Sequence, residues 1–356
     1  VGGLAACLLQ AVLTLALGRM LKLSKIAQYT ALLLVLSSQM FYASIARVSN
    51  DWLAIPLVTL LLICVLRFYR EPRVQSGVFV GGALAAGLLT KAYFLPLGLY
   101  AGGVLIWVGL RRRAARWPVL AAGLVVALAA GPWYARNLWL YGSLSATQQS
   151  AAGIGPSETL RAALSMPWGS ALMSLARGAL WTGNSSFSSF SASTLNLMLA
   201  LLLVAALLWV RTAWRASGSA PEWLIAGGCA VFVAALLYAC AMFFAFTKGR
   251  LVTATPWYAQ ALAASLACLL CLGLSRSGSI GRWIGAALAV LSSYVLAATY
   301  VVKLIPLYGG YPEGRVRGAQ LLAWYFDGAA RHREILGATA LGNPAVIWPL
   351  TVLVVI

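Results

Sequence analysis

Acidic residues are scarce in this sequence: 356 residues hold only 7 Asp and Glu, against 26 Lys and Arg. Just two of the acids are Asp, at Asp51 and Asp327. Charged residues of both signs make up 9% of the chain, where a soluble domain carries about 25%. So few charges cannot clothe a water-facing surface, and a soluble fold is excluded. Histidine is scarcer still: His332 alone cannot build a zinc site, and nothing points to it as a triad base. The apolar runs lack the alternating polarity of a membrane barrel. The 6 cysteines all fall within apolar runs and read as small apolar fillers, not as a disulfide framework. Cys268-Leu-Leu-Cys271 has the spacing of a redox or metal pair but stands alone.

What the chain does have is hydrophobic length. Apolar residues make up 62%, and the formal charge of +19 is gathered into short basic clusters between apolar runs. That pattern excludes nucleic-acid binding as the source of the charge and fits a polytopic membrane protein. A helical span needs about 20 apolar residues. The expected spans are Val1–Leu17, Ile26–Ala46, Trp52–Leu66, Val74–Thr90, Ala92–Leu110, Pro118–Ala135, Leu195–Val210, Trp223–Phe246, Leu251–Leu274 and Trp283–Val302, with Pro344–Ile356 the start of an eleventh. Helices are expected because lipid offers no partner to an open sheet edge. The fold class is thus an all-α membrane protein of about 10–11 transmembrane helices, one polytopic domain over residues 1–356. The chain begins at Val1 without Met and ends in an apolar stretch, so it is expected to be trimmed at both ends.

Basic residues set the orientation. Arg19/Lys22/Lys25, Arg67/Arg70/Arg73, Arg111/Arg112/Arg113/Arg116, Arg211/Arg215 and Arg276/Arg282 lie in alternate short connections, which places these 14 on the cytoplasmic side. The alternation requires Val74–Leu110 to be a hairpin with its tip near Lys91. Two outer segments are long, 136–194 and 303–343. The first carries 13 Ser between Ser143 and Ser193, yet its Trp and Leu residues predict one or two interfacial amphipathic helices broken at Pro167. Asn184-Ser185-Ser186 matches a glycosylation acceptor. Gly77, Gly81, Gly82 and Gly87 are read as close helix packing.

Four places could carry chemistry. Asp51 sits in the short outer turn Arg47-Val48-Ser49-Asn50-Asp51-Trp52, where a carboxylate can orient a hydroxyl or hold a divalent ion; the alternative is a helix cap by Asn50 or Asp51. Asp51 is the one candidate ligand for such an ion. Lys91 interrupts an apolar run, as a functional cation or as one that snorkels to the interface. In Gly131-Pro132-Trp133-Tyr134-Ala135-Arg136-Asn137, Arg136 and Asn137 suit a phosphate at a cavity mouth. Lys248-Gly249-Arg250 pairs a point charge with a bidentate fork, and interfacial anchoring is its alternative. In the topology above these converge on the outer leaflet, where Arg47, Lys91, Arg136, Lys248 and Arg250 are expected to ring one anionic headgroup.

Three stretches resemble the multi-spanning glycosyltransferases of the GT-C class, which include protein mannosyltransferase-like and aminoarabinose-transferase-like families. Ser49-Asn50-Asp51 followed by Gly87-Leu88-Leu89-Thr90-Lys91 resembles their "ND … G-L-x-T-K" segment. Gly131-Pro132-Trp133-Tyr134-Ala135-Arg136-Asn137 with Tyr141-Gly142 resembles their "P-W-Y-x-R-N-x-x-x-Y-G" element. Lys248-Gly249-Arg250 with Pro256 resembles "G-R-Y-x-x-P", with Leu251 where the family often has Tyr. The resemblance implies an enzyme that passes a sugar from a polyprenyl phosphate to an acceptor on the outer face. It implies a general-base Asp in a first outer loop, expected upstream of Val1, and a second, supporting Asp at the place of Asp51. Lys91, Arg136, Asn137, Lys248, Arg250 and Arg47 are the expected substrate-binding residues. A divalent metal ion is a possible cofactor. The expected partners are the bilayer and a lipid-linked sugar donor, with no nucleic acid. The expected location is the bacterial inner membrane, with the active site facing the periplasm. A transporter or flippase of an anionic lipid or solute, and a non-catalytic membrane scaffold, are the competing readings.

Overall fold

The computed structural model describes residues 2–46, 50–144, 153–181, 191–215, 219–251, 256–308 and 318–326. Among them there are helices and no strands. Two compact units are present, one of Val1–Ser185 with Ser189–Ser292, the other of Ser186–Ser188 with Ser293–Ile356.

The first unit is built around its third long segment. Helix α1 covers Gly2–Met20, α2 Lys25–Leu36, α3 Gln39–Ala46 and α4 Asp51–Arg70. Helix α5 covers Val74–Thr90, α6 Phe94–Arg111, α7 Arg116–Ala129 and α8 Gly131–Tyr141. Helices α9 (Pro156–Ser165) and α10 (Trp168–Leu180) precede α11 (Ala192–Arg215) and α12 (Ala220–Phe246). A 3-10 helix, Pro256–Leu262, leads into α13 (Ala263–Ser275), and α14 covers Gly278–Ala297. Helix α4 is apolar on every face, as befits a helix enclosed by others. Leu61, Leu62, Leu66 and Phe68 on it are fully enclosed, and they share one core with Leu17, Phe94, Leu97, Ile225 and Cys268.

Seven described helices are long and apolar enough to cross a membrane, and two bent pairs raise this to nine. Val74–Thr90, a shorter apolar helix, supplies the tenth expected span. Pro344–Ile356, the eleventh, lies outside the described residues.

Three spans differ from their sequence expectation, each for a local reason. Ile26–Ala46 is broken, with α2 and α3 meeting at 59°. There the Ser37 hydroxyl donates back to Leu33 O at 2.7 Å, and the hydroxyl of Ser38, between the two helices, donates to Gln260 Oε1 at 3.1 Å. The run through Pro118–Ala135 bends by 51° between α7 and α8, where Pro132 lacks the N–H that would continue the ladder. The expected span Leu251–Leu274 begins as the 3-10 helix at Pro256 and becomes α-helical only at Ala263. Val74–Leu110 is a hairpin: α5 stops at Thr90 and α6 starts at Phe94.

Small residues set the close approaches. A Cβ at Gly77 would stand 2.1 Å from Pro118 O, and one at Gly81 2.6 Å from Ala122 O, so α5 meets α7 backbone to backbone. A Cβ at Gly87 would enter the Phe94 ring. Gly82, read with them as a packing residue, faces open space and is not part of this contact. The segment 136–194 contains the expected helices, α9 and α10, parted at Met166–Pro167. They bury one face against α12, where Met166, Ala171, Cys240 and Ala241 cluster.

In the second unit, the end of α14 passes into a π-helical stretch, Ala298–Leu304, followed by α15 (Ile305–Tyr308) and α16 (Gly318–Phe326). The Tyr325 hydroxyl donates to Val301 O at 2.6 Å.

Candidate functional site

The two ends of the helical bundle are chemically distinct. At one end the turns hold basic residues and tie to one another: Arg70 donates to Met20 O at 2.6 Å and Arg112 to Tyr69 O at 2.9 Å. The other end gathers the starts and stops of α4, α5, α6 and α8, and there Asp51 and Lys91 meet.

Asp51 is the first residue of α4, where its charge complements the helix dipole. Lys91 follows the last residue of α5, and its ammonium lies 2.9 Å from Asp51 Oδ1. The pair is largely enclosed, with the Lys91 side chain 19% exposed and Asp51 7%. Burying two charges is tolerated because each neutralises the other. The ammonium also lies 5.0 Å from the centre of the Tyr258 ring, within cation–π reach. Asn50, the residue before α4, makes no side-chain cap; its amide donates to Thr90 O and so ties the α4 start to the α5 end.

Aromatic rings wall the pair. Tyr93 meets Tyr258 edge-on at 5.2 Å and Phe232 at 5.3 Å, and stacks on Phe94. The Gly87–Phe94 contact explains why glycine precedes this tip: only there can the Phe94 ring lie across α5.

Helix α8 is tethered to the same place, since the Tyr134 hydroxyl donates to Leu88 O at 2.9 Å. Asn137 on that helix is buried and donates to Leu144 O at 3.3 Å. Arg136 is exposed and lies 5.7 Å from the Trp133 ring centre. Lys248 and Arg250 are exposed in the turn that ends α12, where Lys248 takes a positive φ of 54° and the Thr247 hydroxyl holds Arg250 O at 2.6 Å. The structure thus joins Asp51 and Lys91 directly, while Arg136, Asn137, Lys248 and Arg250 are held by local contacts. Arg47, Asp327, His332 and Asn184 lie outside the described residues.

Two residues that the sequence did not single out complete the arrangement. Tyr258 supplies the face against Lys91. Gln260 is buried, accepts from Ser38 and donates to Ala179 O at 2.7 Å, locking the 3-10 helix to the α2–α3 bend and to α10. The available signal was the aromatic-polar run Pro256-Trp257-Tyr258-Ala259-Gln260 at the head of a span. For a divalent ion, no group of three or more His, Cys, Asp or Glu side chains stands together among the described residues. The Asp51 carboxylate is engaged by Lys91. Cys268 and Cys271 are buried free thiols, and the Cys268 thiol faces Thr14 O at 3.7 Å, in keeping with the filler reading.

Fold and candidate site define an integral membrane protein with a polar, aromatic-walled cluster at one end of a helical bundle. Residues 2–135 match the family model described as dolichyl-phosphate-mannose-protein mannosyltransferase. The likeness covers well under half of the chain. It takes in Asn50, Asp51 and Gly87–Lys91, and ends within the Gly131–Asn137 element; Lys248-Gly249-Arg250 lies beyond it. No curated protein and no solved structure matches the chain.

Proposed function

We propose that the protein transfers a sugar from a polyprenyl-phosphate donor to an acceptor hydroxyl at the outer face of the membrane. The observation that carries this reading is the buried Asp51–Lys91 pair, which lies inside the family-matched residues and opposite the arginine-rich turns. With those turns on the cytoplasmic side, the pair belongs to the outer, periplasmic end.

In such a transfer the bond between the anomeric carbon and the phosphate oxygen breaks, and polyprenyl phosphate leaves with the electron pair. The acceptor oxygen bonds to the anomeric carbon and gives its proton to a carboxylate. Lys91 holds one contact to Asp51 and has further N–H donors for the departing phosphate, where a fixed cation in an enclosed site stabilises developing charge. Asp51 aims that ammonium. Arg136, Asn137, Lys248, Arg250 and Arg47 are the further donor-binding residues of this reading. Tyr93 and Tyr258 offer apolar faces to sugar or prenyl carbons.

Membranes containing the wild-type protein are expected to release polyprenyl phosphate from a polyprenyl-phosphate-sugar donor, and Lys91→Met to reduce that release by about 10²-fold or more. Equal release from wild-type and Lys91→Met membranes would falsify the donor-site assignment.

A further inference from the structure

The end of the bundle remote from Asp51 carries a second site, independent of the glycosyltransferase reading. Between the last turns of α11 and the turn joining α13 to α14 lies a pocket of about 690 Å³. Arg211, Thr212 and Arg215 line it from α11, and Arg276 and Ser277 from the turn. Leu208 and Ile280 give it an apolar side.

The guanidinium groups differ in what holds them. Arg276 is clamped by Glu222, with hydrogen bonds of 2.8 and 2.7 Å, and the Ser219 hydroxyl donates to the same carboxylate at 2.8 Å. Glu222 is buried, so Arg276 is fixed in place and locally neutralised. Among the described residues no carboxylate pairs with Arg211 or Arg215. Three cations against one anion leave the pocket with a charge of about +2. Its walls are rigid, because a Cβ at Gly273 on α13 would stand 2.4 Å from Trp209 Cα on α11. Trp214 and Trp283, three residues along the chain from the lining residues Arg211 and Ile280, are 79% and 77% exposed, as rings at a membrane–water interface are.

We infer that this pocket binds the phosphate headgroup of an anionic membrane lipid in the leaflet at the basic end of the bundle. Arg211 and Arg215, one turn apart on α11, offer paired forks to a phosphodiester; Thr212 and Ser277 add hydroxyl donors. Leu208 and Ile280 lie where the first acyl carbons would pass. Basic pockets between spans at the cytoplasmic side suit such headgroups. The interfacial tryptophans and the apolar side favour a lipid over a free anion.

The test uses the purified full chain in neutral phosphatidylcholine nanodiscs, titrated with phosphatidylglycerol and, separately, with inorganic phosphate. Bound lipid is read by native mass spectrometry and by the melting temperature. Phosphatidylglycerol should be retained and should raise the melting temperature; inorganic phosphate at equal concentration should do neither. The Arg211→Gln/Arg215→Gln variant should bind phosphatidylglycerol about tenfold or more weakly. Arg113→Gln/Arg116→Gln, which removes the same charge from exposed residues elsewhere at that end, should bind as wild type does. Equal retention in both variants, or equal loss in both, overturns the pocket. Stabilisation by inorganic phosphate alone overturns the lipid assignment. Because both substituted arginines are exposed, the variant is expected to melt like wild type in phosphatidylcholine alone.

Discussion

Lys91 Nζ lies 2.9 Å from Asp51 Oδ1, joining the end of one apolar helix to the start of another across 40 residues of sequence. Each residue is the lone charge at its helix end, so removing either leaves the other poorly solvated. Lys91→Met and Asp51→Asn are each expected to destabilise the protein by about 3–5 kcal/mol. The double variant should cost clearly less than the sum of the two. Urea or thermal unfolding in detergent of all four proteins measures this coupling, and simple additivity would show that the pair does not act as a unit.

The hairpin tip depends on a hole in α5. Gly87→Ala would put a methyl 2.1 Å from Phe94 Cδ1, a collision worth about 1–3 kcal/mol. Adding Phe94→Leu should restore part of the melting temperature. Gly77→Ala behaves differently: its obstacle is the Pro118 carbonyl, which no side-chain trimming removes. Partial rescue at Gly77 by Phe94→Leu would contradict this separation.

Sidedness follows from the basic turns. With native cysteines replaced by Ala, a cysteine at Leu144, exposed just beyond α8, should react with an impermeant maleimide added outside intact cells. A cysteine at Arg113 should react only after lysis. The reverse pattern would invert the whole orientation.

Much of this fold was legible because lipid imposes a simple rule: about 20 apolar residues per span and cations at the inner ends. The hairpin at Lys91 and the break at Pro167 followed from that rule and from proline chemistry. The bends did not. Ser37 and Ser38 read as ordinary polar residues in an apolar run, and only their partners, Leu33 O and Gln260, make them a break. The candidate site was legible as separate parts. Asp51 and Lys91 were each singled out, and two lone opposite charges at one depth signal a pair. The partnership with Tyr258 was not readable, since it joins residues 167 positions apart through packing alone.

Rim cations should act on the donor without holding the fold together. Arg250 and Lys248 are exposed, so Arg250→Ala and Lys248→Ala are expected to leave the melting temperature within about 0.5 kcal/mol-equivalent of wild type. Each should weaken polyprenyl-phosphate binding about threefold to tenfold, with a stronger effect at low salt. Unchanged binding at every salt concentration would remove the turn after α12 from the site.

The central claim is that the lipid-linked phosphate sits beside Asp51 and Lys91. The most direct measurement is photo-crosslinking of the protein in membranes with a polyprenyl phosphate bearing a diazirine near its headgroup, followed by peptide mapping. The expected labels fall within residues 50–54, 88–94, 133–137 and 256–260, and excess unlabelled polyprenyl phosphate suppresses them. Labels confined to the basic turns at the other end would contradict the account.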